Sequence, residues 1–159
     1  MCCTPSTPDC YTEIPVKNGK VRIHANHGTV EAEENNSIAK YLAEIYGYRI
    51  DLLPNPDNEE SADTFNHTLG YEQAYKLNSK PAKGAIDNAL RKAARQANNI
   101  VLRIDSEITL EDLRNGLCGR INQCPNVKNV TSIIHNLDET YTREQILTQG
   151  FQIKQEDFK

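Results

Sequence analysis

Apolar residues recur along the chain with two different spacings, and the spacing separates predicted helices from predicted strands. Intervals of three and four residues predict helices over 33–46, 84–99, 109–123 and 142–149. Short runs rich in β-branched and aliphatic residues predict strands over 48–53, 63–69, 71–77, 100–104 and 127–135. Ahead of them, an Asn-Gly turn signal at 18–19 predicts a further strand or hairpin within 16–23.

Several predicted helices carry their own end or packing signals. Gly47 directly follows the first helix and is typical of a helix stop. In the second helix, Ile86, Leu90 and Ala93 lie on an apolar stripe rich in small residues, which predicts close packing on a sheet. Thr109 begins a segment that resembles a capping box, so the next helix is expected to start there.

The order of these elements predicts the fold class. With the first strand or hairpin set aside, the order is α-β-β-β-α-β-α-β-α, which is typical of an α/β fold. We expect an α-β-β-β-α-β core with a mixed sheet flanked by helices, followed by a C-terminal α-β-α extension. A chain of 159 residues without repeats or an internal linker fits a single domain over 13–159, preceded by a flexible tail over 1–12.

Composition narrows the class of protein. Hydrophobic residues make up 38% of the chain with 3 Phe and no Trp, so the core must be largely aliphatic. No apolar run approaches the roughly 20 residues of a membrane helix, and the N-terminus lacks the basic and apolar regions of a secretory signal. We therefore expect a cytoplasmic protein whose 5 cysteines, an odd number, are free thiols.

Acidic and basic residues are concentrated in different segments of the chain, although its net charge is only −4. Residues 29–63 carry nine acidic against two basic side chains, and residues 76–103 carry seven basic against one acidic. A basic stretch can follow a phosphate backbone, because neutralising phosphates releases their counterions. The alternative is that these side chains form the solvated face of a helix.

Candidate catalytic side chains lie on successive predicted core elements. Glu34 belongs to the acidic start of the first helix, and Asp63 opens the second core strand. Glu72 and Lys76 follow on the next strand, and Gln96 lies near the end of the following helix. Metal-assisted phosphodiester cleavage uses carboxylates that hold Mg²⁺ and a lysine that stabilises the phosphate. The pattern therefore predicts a divalent metal held by Asp63 and Glu72, with Glu34 as a further carboxylate. Lys76 would stabilise the scissile phosphate, and Gln96 would support Lys76.

This arrangement resembles the PD-(D/E)XK nuclease superfamily. More specifically, it looks like the small nuclease domains at the C-termini of contact-dependent inhibition (CdiA) toxins and in phage and mobile-element proteins. The resemblance covers roughly residues 24–135 and is carried by Glu33-Glu34-Asn35, Ile50-Asp51-Leu52-Leu53-Pro54, Ala62-Asp63, Gly70-Tyr71-Glu72 and Gln96-Ala97-Asn98-Asn99. Several of those domains resemble tRNA-cleaving enzymes.

The chain departs from the pattern of that superfamily in two places. Ala62 precedes Asp63 where the superfamily usually has proline, and three residues instead of one separate Glu72 from Lys76. Strand side chains alternate, so positions four apart still share a face, with a bulge as one way to absorb the extra length. Aligning Ala74-Tyr75-Lys76 with the motif instead removes the second carboxylate, which would leave an inactive or metal-independent domain.

A metal-independent route to RNA cleavage is open as well, since RNA supplies its own 2′-hydroxyl nucleophile. Small barnase-, EndoU- and colicin-like ribonucleases have a comparable helix-and-sheet layout. The candidate groups for this route are His24, His27, His67 and Thr68, with Lys76 or Lys80. His67 is the strongest of them because it falls between two predicted acidic site residues. The alternative for each histidine is a surface or hydrogen-bonded structural role.

The expected function follows from these residues and from the resemblance. Lys80, Lys83, Arg91 and Arg95 are predicted to contact nucleic acid, and solvated surface charge is the alternative. We expect a metal-dependent ribonuclease that cleaves tRNA or other RNA. It would serve as a toxin of a mobile element or competition system, acting in the cytoplasm of a target cell and paired with a cognate immunity protein. The alternative is a catalytically degenerate module that keeps the fold and binds nucleic acid or a protein.

Overall fold

The computed structural model describes residues 10–27, 29–54, 61–81 and 83–159, without the side chains of 29–32 and 83. The chain divides into two compact units, residues 1–73 and 74–159. The first nine residues of the predicted tail lie outside the described residues.

The first unit contains one sheet whose strands follow the chain order. Its members are β1 (Tyr11–Ile14), β2 (Lys20–His24), β3 (Arg49–Leu52), β4 (Thr64–Asn66) and the first part of β5 (Tyr71–Asn78). β2 and β3 pair in parallel, and the other neighbours pair antiparallel.

Helix α1 (Thr29–Tyr46) makes the crossover that the parallel β2–β3 pair requires. Its buried side chains Ile38, Leu42 and Ala43 pack towards β2 and β3. The predicted stop is confirmed, because Gly47 follows the helix with a φ of 71° that favours glycine.

The second unit builds its sheet from the rest of β5 and three further strands, β6 (Asn99–Ile104), β7 (Asn129–Ile134) and β8 (Leu137–Thr142). β5, β6 and β7 pair in parallel, and β8 is antiparallel to β7. Its helices are α2 (Lys83–Gln96), α3 (Leu110–Ile121) and α4 (Arg143–Leu147), followed by a 3₁₀ turn at Gln155–Asp157.

Two contacts hold α2 against α3 in this unit. Gly116 lies so close to Ile86 that a β-carbon at position 116 would come within 2.6 Å of the Ile86 Cγ2 atom. Arg120 forms a two-pronged ion pair with Asp87, with Nε to Oδ1 at 2.9 Å and Nη2 to Oδ2 at 3.0 Å. The small-residue stripe of α2 therefore packs closely, on α3 as well as on the sheet.

The α/β fold class is confirmed, including a mixed sheet and the order α1-β3-β4-β5-α2-β6. Two strands differ from the prediction: β1 begins at Tyr11, inside the predicted tail, and β8 was missed. β7 and β8 are joined through His135 and Asn136, whose φ angles are 51° and 61°. This is a two-residue hairpin turn without glycine, so the usual sequence signal is absent.

Cysteine pairing also differs from the prediction. Cys118 and Cys124 are free thiols, as predicted, but Cys10 is disulfide-bonded. An odd number of cysteines leaves one thiol over without preventing the others from pairing, so the count alone could not exclude this bond. None of the helices among the described residues is both long and apolar enough to cross a membrane.

Candidate functional site

The first unit carries a row of polar and aromatic side chains across its sheet. The strand register places Arg22 opposite Asp51, Asp51 opposite Phe65, and Phe65 opposite Glu72. Cross-strand partners share a face, and this face is the one opposite to Ile50 and Leu52, which are buried on the α1 side. We call it the open face of the first unit; it is formed by Lys20, Arg22, Arg49, Asp51, Phe65, His67 and Glu72.

Asp51 is the centre of a charged network on the open face. Its side chain is only 7% exposed, and both of its oxygens accept hydrogen bonds. Arg22 donates from Nε to Oδ1 at 2.7 Å and from Nη2 to Oδ2 at 2.6 Å, and His67 Nε2 lies 2.7 Å from the same Oδ2. One buried carboxylate therefore orients both a guanidinium and an imidazole.

The electrostatics keep Asp51 ionised. Burial on its own raises the pKa of Asp51, but hydrogen bonds from Arg22 and His67 outweigh it, so the pKa lies below its ordinary value. The carboxylate can then only accept hydrogen bonds, so the imidazole must donate from Nε2. Nδ1 of a neutral His67 is left as the nitrogen that can take a proton, and the side chain is 47% exposed.

The network borders a recess of about 180 Å³ on the open face, lined by Lys20, Arg22, Arg49, Ile50, Asp51 and His67. Three cations and one carboxylate line it, and Glu13 on β1 lies 3.7 Å from the Lys20 amine, which leaves a net charge of +1 when His67 is neutral. The recess thus offers an anion several N–H donors beside a group that can accept a proton. This combination suits a phosphodiester.

Strand β1 supports the network from the side. The Arg22 guanidinium carbon lies 4.7 Å from the centre of the Tyr11 ring, which is a cation–π distance. Tyr11 also meets the ring of its cross-strand partner His24 edge-on, with centroids 4.9 Å apart. Strand β1, whose first two residues lie in the predicted tail, therefore helps to hold Arg22.

The other predicted residues of the first unit are dispersed. Asp63 is buried directly ahead of β4, Glu72 is exposed on β5 opposite Phe65, and Glu34 is exposed on α1. Of the predicted catalytic residues in this unit, His67 is the one that belongs to the Asp51 network.

The remaining candidates for the metal-independent route have structural contacts. His27 is buried, with Nδ1 2.6 Å from the Leu53 carbonyl and Nε2 3.1 Å from the Asn35 amide nitrogen. His24 is buried and contacts the Tyr11 ring, and the Thr68 hydroxyl accepts a hydrogen bond from the Arg49 backbone at 3.0 Å. The structural alternative fits His24 and His27.

The second unit holds the other predicted residues. Lys76 is half-buried on β5, and Gln96 is the last residue of α2, with its Oε1 atom buried. Lys80, Arg91 and Arg95 are exposed, and the side chain of Lys83 lies outside the described residues. Within the described parts of the chain, no three His, Cys, Asp or Glu side chains are grouped as a metal site would require.

Sequence reasoning missed Arg22 and Asp51 as site residues. Asp51 was noticed only as part of a segment that resembles a nuclease family, and Arg22 falls in a region predicted only as a strand or hairpin. A signal was nonetheless present, because a carboxylate in the middle of an otherwise apolar strand is rarely buried without a charged partner.

Comparison with known proteins bears on the fold. No protein-family model matches the chain, and no curated protein matches it significantly. A similar solved structure is a CdiA-CT/CdiI toxin and immunity complex from Burkholderia pseudomallei. It is 18% identical, the match covers 82% of this chain and 94% of that one, and the TM-score is 0.52. The likeness shows a shared fold.

Proposed function

We propose that this chain is an RNA-cleaving, toxin-type effector domain whose reaction takes place in the recess of the open face. The observation that carries the proposal is the contact of His67 Nε2 with the buried Asp51 carboxylate, at 2.7 Å, beside three cations. An imidazole held in one tautomer at a cationic recess has the parts needed to deprotonate a hydroxyl next to a phosphate.

The proposed reaction uses the hydroxyl group that RNA contains and DNA lacks. His67 Nδ1 takes the proton of a ribose 2′-hydroxyl, and the 2′ oxygen attacks the adjacent phosphorus. The bond from phosphorus to the 5′ oxygen breaks, the 5′ oxygen takes a proton from water, and a 2′,3′-cyclic phosphate remains. Arg22, Lys20 and Arg49 hold the phosphate oxygens as negative charge builds on them.

Asp51 has a positioning role in this proposal. Its carboxylate fixes the tautomer of His67 and stabilises the imidazolium that forms when Nδ1 takes the proton. Arg22 keeps that carboxylate ionised and in place through its two hydrogen bonds.

The toxin role is supported by the shared fold. The similar structure is a toxin in complex with its immunity protein. We propose by analogy that this chain acts in the cytoplasm of a target cell, that tRNA is the first substrate to test, and that a cognate immunity protein neutralises it. A fold is shared by many functions, so the likeness supports only the biological setting, and the chemistry depends on the residues of the recess.

The second unit is proposed to hold the RNA backbone. Arg91 and Arg95 are exposed on α2, Lys80 is exposed ahead of this helix, and Asp87 on the helix is paired with Arg120. The exposed side of α2 therefore carries cations that can attract phosphates. The Lys83 contact stays a prediction.

The divalent metal that the sequence predicts is a separate hypothesis and needs its own test. Asp63 and Glu72, with Glu34, would be its ligands, but the described residues contain no three-ligand group of this kind. No step proposed above passes through a metal. Lys76 and Gln96 likewise stay predicted supports of a metal-dependent reaction.

The test is an in vitro digest of total tRNA, a single-stranded RNA and plasmid DNA, with either Mg²⁺ or EDTA. We expect RNA cleavage that persists in EDTA, products ending in a 2′,3′-cyclic phosphate, and intact DNA. His67→Ala and Asp51→Asn should reduce cleavage. Asp63→Asn, which changes a predicted metal ligand and leaves His67 and Asp51 in place, is the matched control. Loss of cleavage in EDTA together with full activity of His67→Ala would refute the proposed chemistry. Tight RNA binding without any cleavage would favour the non-catalytic module.

A further inference from the structure

An aromatic ring lies beside the recess on the open face. Phe65 is the cross-strand partner of Asp51, and its ring meets the His67 ring with centroids 4.9 Å apart and planes at 63°. Directly paired positions have β-carbons about 4.5–5.5 Å apart, so Phe65 lies one strand away from the carboxylate that orients His67. A group bound at His67 is therefore within reach of this ring.

Phe65 lies away from the apolar core of this unit. The apolar side chains Val21, Ile50 and Leu52 are buried at 0–1% exposure on the α1 side, whereas Phe65 belongs to the opposite face and is only half-buried. Its cross-strand neighbours there are the carboxylates of Asp51 and Glu72. A large apolar ring flanked by charged groups on a sheet face is poorly explained by core packing.

We propose that Phe65 is a base-stacking subsite and that the substrate is single-stranded RNA with an unpaired base next to the scissile phosphate. This inference rests on the proposed function and extends it to the form of the substrate. Aromatic rings on exposed sheet faces bind unpaired bases by stacking, because every base has a flat π-face. In an RNA duplex the bases are already stacked on each other and are not available to such a ring.

The cations of the recess fit the same substrate. A phosphate held by Arg22, Lys20 or Arg49 places the adjoining nucleotide over β3 and β4, since neighbouring strands are about 4.8 Å apart. The base of that nucleotide can then lie against Phe65 while its phosphate stays at His67. Cations that track the backbone beside an aromatic platform form the usual combination in proteins that bind single strands.

The experiment pairs a change in the protein with a change in the RNA. The substrate is a single-stranded oligoribonucleotide with one mapped cleavage position, together with variants that lack the base at one position on either side. The protein variants are Phe65→Leu, which keeps apolar bulk but removes the π-face, and Phe65→Tyr, which keeps the ring. Phe151→Leu in the second unit serves as the matched control.

We expect Phe65→Leu to lower kcat/KM on the intact oligonucleotide about 5- to 150-fold, mainly through KM, because stacking acts on binding. Phe65→Tyr should remain near wild type. When the base at one position is removed, the kcat/KM of the wild type should fall by a similar factor. The kcat/KM of Phe65→Leu should not fall further on that substrate. A duplex of the same sequence should be cut far more slowly.

An unchanged kcat/KM for Phe65→Leu would overturn the inference. So would a loss from Phe65→Leu that multiplies with the loss from base removal at every position. A drop in kcat alone would also overturn it, because it would show that Phe65 only packs against His67. If the wild type cleaves no RNA, the proposed function fails and the subsite is judged by binding. The wild type must then bind the labelled oligonucleotide more tightly than Phe65→Leu does; equal affinities would reject the subsite.

Discussion

Removal of the Arg22 guanidinium tests the network through the two hydrogen bonds that Arg22 donates to Asp51. The Asp51 side chain is 7% exposed and that of Arg22 32% exposed, so Arg22→Ala leaves a largely buried carboxylate with His67 as its remaining partner. Loss of one partner of a buried ion pair typically costs about 3–5 kcal/mol. Because water already reaches part of Arg22, we expect a smaller loss of about 2–3 kcal/mol in the free energy of unfolding.

The loss should depend on pH in a definite direction. The pKa of Asp51 is lowered in the folded protein, so its ionised form adds stability above the unfolded pKa of about 3.9. That contribution disappears as the pH falls through the folded pKa. The difference between wild type and Arg22→Ala should therefore be largest near pH 7 and should shrink as the pH falls below the unfolded pKa of about 3.9.

Urea unfolding from pH 3 to pH 8 measures this difference. Arg103→Ala, which removes the more exposed ion pair with Asp105 in the second unit, is the matched control and should cost less than about 1 kcal/mol. Adding Asp51→Asn to Arg22→Ala should recover part of the loss, because no unpaired charge remains. A destabilisation that is equal at pH 3 and pH 7, or no recovery in the double variant, would refute the reasoning.

Three other predictions concern the Tyr11 ring, the packing of α2 on α3, and the exposed cations of α2. Tyr11→Leu removes the ring beneath a guanidinium and should lower RNA cleavage about 2- to 30-fold, while Tyr11→Phe stays near wild type; equal losses in both would contradict a cation–π role. Gly116→Ala should destabilise by about 1–3 kcal/mol in urea unfolding through overpacking between α2 and α3, whereas Gly119→Ala on the same helix, with open space around it, should stabilise by about 0.5–1 kcal/mol. Replacing both Arg91 and Arg95 by Ala should reduce the slope of log affinity for single-stranded RNA against log salt by about 1.4, and an unchanged slope would remove α2 from the RNA surface.

The regular elements were predictable where local signals agree with packing. Helix α2 follows its small-residue stripe, and α3 starts where Thr109 accepts a hydrogen bond from the Asp112 backbone at 3.0 Å. β8 could not be predicted, because its turn at His135 and Asn136 uses left-handed residues other than glycine, and because its first two residues, the exposed Leu137 and the buried Asp138, reverse the usual pattern of burial. Residues 136–141 are therefore left unassigned by the sequence, between a strand predicted to end at 135 and a helix predicted to begin at 142.

The site was predictable only in part, and the reason is register. His67 was a candidate, but its partner lies sixteen positions earlier in the chain, and the guanidinium that completes the network lies 29 positions before that partner. Periodicity shows that Asp51 lies in a strand, but the choice of neighbouring strand and register is made by tertiary packing. A parallel partner reached through α1 leaves no trace in the local sequence.

The charge of a sequence segment does not report the charge of the recess, for the same reason. The stretch 29–63 has nine acidic and two basic side chains. Asp51, from the middle of that stretch, is bound by Arg22 and His67, which both lie outside it, and Arg49 from the same stretch adds to the cations of the recess. The sheet thus builds a recess lined by three cations and one carboxylate around a strand of the most acidic segment of the chain. The charge that a phosphate would meet is set by which strands pair, and the sum along the sequence does not report it.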